Sequence, residues 1–270
     1  MNFIGNARMY GVTPGIEAAW QALLANVADD AGVALAYTPW PAPNPLEKLW
    51  ARPDLGCVLM CGFPIALRLA DVVPIAAAVP ALAWAEGRAA YRSDFIVRRD
   101  SGFQTLEDTF GGHLGWTVAH SHSGFNAPRH HLLGFLTPER PRLYGRVTGN
   151  LVTARKVLDS VLAGNIDVGP LDAYWHALIA LHDPKLVENI RVVDSTALSP
   201  IPAFVASPAL GKDRIKRLRS AFAQADNQAW FPALAQSLQI RRFFAVEFSD
   251  FAQTLHWRNE AECADYTEFS

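Results

Sequence analysis

Short apolar runs alternate with amphipathic stretches along most of the chain, and their spacing predicts a β-α-β-α-β series. Asn2–Ala7 reads as a first strand. Thr13-Pro14 then opens a helix, with the threonine as N-cap and the proline at the first helical position. Ile16, Trp20, Leu23, Leu24 and Val27 recur at the spacing that puts them on one helical face, and Gly32 stops the run. Strands are expected at Ala34–Tyr37, Gly56–Met60 and Val72–Val79, with helices at Leu46–Ala51 and Ile65–Leu69 between them. Strands that alternate with helices in this way build a parallel sheet covered on both faces.

The stretch Ala83–Arg92 interrupts the rhythm, and a second series follows it. Strands are expected at Ser93–Val97, Leu114–Ala119, Leu143–Val147, Ile166–Gly169 and Ile190–Asp194. Helices are expected over Ala127–Leu136, Asn150–Ala163 and Leu171–Leu181, and Thr105-Leu106-Glu107-Asp108 has the spacing of a capping box. The tail adds helices near Lys212–Ala225, Trp230–Leu238 and Asp250–Trp257, with an edge strand at Arg241–Val246. The expected fold class is α/β: two doubly wound lobes joined by two crossover strands, near Tyr91–Val97 and Ile190–Ser195. Lobe 1 would hold residues 1–90 and 196–270, and lobe 2, residues 91–195, would be inserted into it. Two crossings make a hinge and an interlobe cleft, where ligands of such folds bind.

Composition narrows the function classes. Half of the 270 residues are hydrophobic, and 24 Lys and Arg face 26 Asp and Glu, a net charge of −2. A nucleic-acid partner calls for a basic surface, so none is expected. Three cysteines without framework spacing argue against a disulfide-built fold. Eight histidines raise the question of a metal, but His130 and His131 are adjacent and diverge by about 100° on a helix. No zinc-site spacing is present, and neither a metal nor a cofactor is expected. Neither Ser121 nor Ser123 sits in a Gly-x-Ser-x-Gly elbow, and P-loop and Gly-x-Gly-x-x-Gly fingerprints are missing, so no catalytic residue is assigned. No apolar run is long enough for membrane insertion. The N-terminal MNFIGNARMYGV lacks a leader pattern, so the chain as written reads as cytoplasmic, or as periplasmic with its leader removed.

Candidate chemistry concentrates in Trp116–Phe125, where an apolar strand turns into a helix through Ser121, His122, Ser123 and Gly124. Unpaired amides, serine hydroxyls and the helix dipole can seat a tetrahedral anion there without a formal positive charge. The plainer alternative is that a serine merely caps the helix. Protonated, His122 would strengthen anion binding at lower pH. Thr148-Gly149-Asn150 opens a second helix from a strand-like stretch, as a cap or as a ligand contact. Asp172, at a third helix start, either complements the dipole or accepts a proton from a ligand hydroxyl. Met9-Tyr10 ends the first strand and would face the cleft from lobe 1.

Several ordered segments carry a resemblance: Tyr91-x-Ser93, then Asp100-Ser101-Gly102-Phe103-x-Thr105-Leu106-Glu107-Asp108, then Ser121-x-Ser123-Gly124. Ala163-Gly164-x-x-Asp167-Val168 and Ser199-Pro200-Ile201-Pro202 continue it. From Cys61 to Val205 the chain resembles the substrate-binding proteins of phosphate, phosphite and phosphonate ABC transporters, which have the type 2 periplasmic binding protein fold. The resemblance implies that Ser121, His122 and Ser123 stand where the family places a Ser-Thr-Ser anion seat, with histidine replacing the threonine. It implies ligand contacts at Tyr91 and at Cys61, where some members have tyrosine. Asn150 and Leu151 lie where some relatives use a glutamate to hold a ligand amine, which implies a ligand without that amine. The function implied is reversible capture of a small oxyanion in the cleft, with an ABC-transporter permease as partner. A cytoplasmic enzyme, either a lyase or a biosynthetic one, and a ligand sensor on the same fold are the alternatives.

Overall fold

The computed structural model describes residues 2–269; Met1 and Ser270, which close the expected bounds of lobe 1, lie outside the described residues. Up to Tyr91 the chain forms β1 (Phe3–Asn6), α1 (Pro14–Ala31), β2 (Leu35–Tyr37), α2 (Leu46–Trp50), β3 (Leu55–Met60), α3 (Gly62–Ala66), β4 (Val73–Pro80) and β5 (Ala90–Tyr91). It continues with β6 (Ser93–Arg98), β7 (His113–Gly115), α4 (Ala127–Leu132), β8 (Arg146–Thr148), α5 (Ala154–Leu162), β9 (Val168–Asp172), α6 (Ala173–His182), β10 (Ile190–Ser195) and β11 (Ser199–Pro200). The last stretch is β12 (Ala203–Ala206), α7 (Lys212–Ala223), α8 (Phe231–Leu238), β13 (Ile240–Ala245) and α9 (Ala252–Cys263).

These elements divide into two compact units, Met1–Tyr91 with Pro200–Ala252, and Arg92–Ser199 with Gln253–Ser270. The first unit is built on a six-stranded sheet of order β13-β4-β12-β3-β1-β2. β1 is parallel to β2 and β3, while β12 runs antiparallel to β3 and β4, and β13 antiparallel to β4. β12 has no counterpart in the sequence expectation. It is four residues long, buried throughout, and too short to show a period. Local signals set α1 as expected: Thr13 Oγ1 accepts the Ile16 N–H at 3.3 Å, and Gly32 ends the helix at a φ of 59°. Its buried face carries Trp20, whose ring meets Phe204 of β12 edge-on at 5.9 Å, and Phe204 stacks on Phe222 of α7 at 5.2 Å.

The second unit holds a five-stranded sheet of order β10-β6-β9-β7-β8. β7 is parallel to β8 and β9, whereas β6 is antiparallel to β9 and β10. One core cluster here joins Phe95, Val97, Leu114, Phe125 and Val168 to Tyr266 and Phe269 of the tail. The expected lobe bounds therefore need a correction at the C-terminus. Gln253 onward belongs with the second unit, because Tyr266 and Phe269 fill its core rather than that of the first.

Trp20 is only 1 % exposed, so Trp20→Ala leaves a large void in the first unit. A loss of about 3–5 kcal/mol in unfolding free energy is expected, checked by urea denaturation.

Candidate anion-binding site

Parallel pairing of β7 with β8 and β9 brings the carboxyl ends of three strands to one edge of the second unit's sheet. In open α/β sheets this is the edge that carries ligand sites. Backbone bonds lace two of the connections together there. The Trp116 N–H reaches the Thr148 carbonyl at 2.9 Å, and the N–H groups of Leu151 and Val152 reach the carbonyls of Trp116 and Thr117.

The first connection ends in a helical turn of unusual width. Ser121 is its N-cap, with Oγ accepting the Gly124 N–H at 3.0 Å. The Asn126 N–H bonds to the Ser121 carbonyl and the Ala127 N–H to the His122 carbonyl, both five residues back. His122–Asn126 is thus a π-helical turn that runs directly into α4. Pro128 is the physical cause. In an α-helix its nitrogen would bond the Gly124 carbonyl, but it has no proton and its ring crowds that oxygen, so the turn ahead opens. The Thr117 N–H takes the released Gly124 carbonyl at 3.4 Å. Gly124 must be glycine for this approach, since a Cβ there would collide with the Thr117 side chain. The amides of Ser123 and Phe125 precede the first closed turn, and the half-buried Ser123 adds a hydroxyl.

His122 corrects an expectation. Its imidazole is fully buried within the second unit, stacked at 5.5 Å on Trp257 of α9, with Nδ1 accepting from Asn126 Nδ2 at 3.1 Å. Burial, with His130 nearby, pushes its pKa down to about 3, so it carries no charge into the turn at neutral pH.

Thr148 and Asn150 do not open a helix. Thr153 caps α5 instead, with Oγ1 accepting the Lys156 N–H at 3.1 Å. Thr148 Oγ1 bonds His113 Nε2 at 2.8 Å, and the exposed Asn150 sits in the left-handed region at a φ of 59°, which asparagine tolerates. Two residues on, Val152 holds a φ of 70°, a strained value for a β-branched residue. Asp172 serves the helix cap: Oδ1 accepts the N–H groups of Tyr174 and Trp175 at 2.9 and 3.0 Å.

The structure therefore brings Ser121–Gly124, Thr148, Asn150 and Asp172 to one sheet edge of the second unit. Tyr10, Cys61 and Tyr91 belong to the first unit. Tyr10 follows β1 in a 3-10 turn, and Cys61 follows β3 as the N-cap of α3, which starts at Gly62 rather than at Ile65. The Cys61 Sγ lies 3.7 Å from the Tyr91 hydroxyl, and all three residues are buried. Sequence reasoning missed Thr117, Asn126, Thr254 and Trp257. The i, i+4 pair of His122 and Asn126 was a readable signal; nothing near Trp257 pointed to the turn. Among the described residues, no group of three or more His, Cys, Asp or Glu is placed to hold a metal ion. None of their helices is long and apolar enough to cross a membrane.

Two α/β units of this topology have the type 2 periplasmic binding protein fold, and solved structures share it. A binding-protein component of an ABC phosphonate transporter from Pseudomonas aeruginosa superposes with a TM-score of 0.80 at 16 % identity, over 98 % of this chain and 88 % of that one. PhnD1 from Prochlorococcus marinus, solved with methylphosphonate, gives a TM-score of 0.77 at 15 % identity over 97 % and 98 %. The alkanesulfonate-binding protein SsuA from Xanthomonas axonopodis gives 0.63 at 13 % identity over 99 % and 94 %. By sequence, no curated protein matches. The family model described as "ABC transporter, phosphonate, periplasmic substrate-binding protein" matches residues 13–251. The chain belongs to that family of transporter binding components, which is not a family of enzymes.

The buried imidazole has a consequence for stability. Unfolded, His122 takes up a proton near pH 6.5; folded, it does so only near pH 3. Between these values the unfolded state binds the extra proton, so stability falls as pH drops, by up to about 1.4 kcal/mol per pH unit. Urea denaturation from pH 7 to 4.5 should show this slope, and it should be shallower in His122→Gln.

Proposed function

We propose that the wide turn at residues 121–125 is where the second unit takes the oxyanion head of a small phosphonate-class ligand. The observation that carries this is the opened turn itself: the amides of Ser123 and Phe125 precede its first closed bond, and the Ser123 hydroxyl stands beside them. A helix start adds about half a positive charge. Neutral donors of this kind hold an anion and let it go without a covalent step. Membership of the phosphonate-binding family and the methylphosphonate held by PhnD1 support the choice of ligand class. Leu151 and Val152, laced beside the turn, offer no carboxylate to an amine, which favours a ligand with a short apolar substituent.

Thr148, Asn150 and Asp172 are the proposed flanking contacts on this edge. On the first unit, Tyr10, Cys61 and Tyr91 are the proposed ligand residues. The partner that receives the unchanged ligand would be an ABC-transporter permease, met in the periplasm.

Thermal shift against phosphate, phosphite, methylphosphonate, 2-aminoethylphosphonate and sulfate tests the reading. An anion at 100-fold over its Kd should stabilise the protein by about 2.7 kcal/mol. Methylphosphonate should raise the melting temperature more than 2-aminoethylphosphonate does, and Ser123→Tyr should abolish the shift. A panel without any shift overturns the proposal, and conversion of the ligand, read by phosphorus NMR, would return the enzyme alternative.

A further inference from the structure

The C-terminal helix meets the wide turn at several points at once. Trp257 is 6 % exposed, and its ring stacks with two imidazoles, one of the turn and one of α4. His122 stacks against it at 5.5 Å and 17°, and His130 at 4.8 Å and 5°. The outer imidazole is held in that plane by Glu260, one turn further along α9, whose carboxylate is 2.7 Å from His130 Nε2. Asn126, at the end of the π turn and fully buried, bonds the Thr254 carbonyl through Nδ2 at 2.8 Å as well as His122 Nδ1. Further along, Arg129 donates to the Thr267 carbonyl at 2.8 Å. The turn carries the proposed anion donors on its backbone and is gripped through its side chains by residues about 130 positions away.

We propose that α9 is a positioning element of the anion site: Trp257, stacked with His122 and His130, and the Thr254 carbonyl, holding Asn126, fix the wide turn that carries the Ser123 and Phe125 amides. This rests on the proposed reading of the turn as the anion seat. No residue of α9 touches the ligand; the helix acts through His122 and Asn126. His122 gains its role here, as an inward anchor rather than a ligand donor. Stacking needs a flat aromatic face and not merely volume, so leucine at position 257 can fill space without clasping either imidazole.

Two readouts test the proposal. Isothermal titration with methylphosphonate should show affinity weakened by about tenfold or more in Trp257→Leu and restored to within about threefold of wild type in Trp257→Phe. Amide hydrogen exchange at Ser123–Phe125, measured without ligand, should speed up about tenfold in Trp257→Leu and stay near wild type in Trp257→Phe. Should the leucine variant not fold, His130→Leu, which removes only one of the two stacked imidazoles, should give the same two changes at smaller size. Unchanged affinity and unchanged exchange in the leucine variant overturn the proposal. So does a loss of affinity that merely follows a lowered melting temperature and is not rescued by phenylalanine. If wild type binds no methylphosphonate, the anion reading fails, while the exchange experiment still decides whether α9 holds the turn.

Discussion

One missing proton shapes the candidate site. Pro128 has no N–H to return to Gly124, and its ring presses on the carbonyl that an ordinary helix would have bonded. Everything ahead of it adjusts: the turn widens to five-residue bonds, Ser121 closes its start, and Thr117 takes the carbonyl that proline leaves. A regular α-helix started at Ser121 would aim a tighter ring of amides elsewhere. π turns and proline-induced openings are local, identifiable causes of altered helix geometry, and here both coincide with the seat.

The donors of the wide turn are neutral amides and hydroxyls. His122 is the titratable side chain within the turn, and burial keeps it neutral well below physiological pH. Amide and hydroxyl donors of this kind are oriented by the helix start itself, and their pull on an anion falls off within a turn. This suits reversible capture.

Much of this was readable in the amino acids, and the parts that were not share a physical character. α1 announced itself through Thr13-Pro14, a periodic apolar face and Gly32, because each of those signals is local. The serine-glycine turn was legible for the same reason. The position of its donors was not. The helix expected from Ala127 starts earlier, because the π turn from His122 runs directly into it. The start of α5 was placed too early, at Asn150, because Thr148-Gly149-Asn150 and Thr153 are both plausible caps and only the pairing of Leu151 and Val152 with the first connection decides between them. β12 and the partition of the tail escaped because both depend on contacts between residues far apart in the chain.

The tail is the larger consequence. An inserted lobe, entered once and left once, could complete its core as soon as its last strand is made. The second unit cannot: Tyr266 and Phe269 are part of its apolar cluster, and Thr254 and Trp257 grip the turn that begins the site. Chains are made from the N-terminus, and domains tend to fold as their residues emerge. The strands of this unit can pair early, but closing their core waits for contacts more than 100 residues away, the slow kind of contact in any topology. The contacts that grip the wide turn are therefore complete only once the tail is in place. A partly made chain carries the same serines without the tail residues that hold their turn.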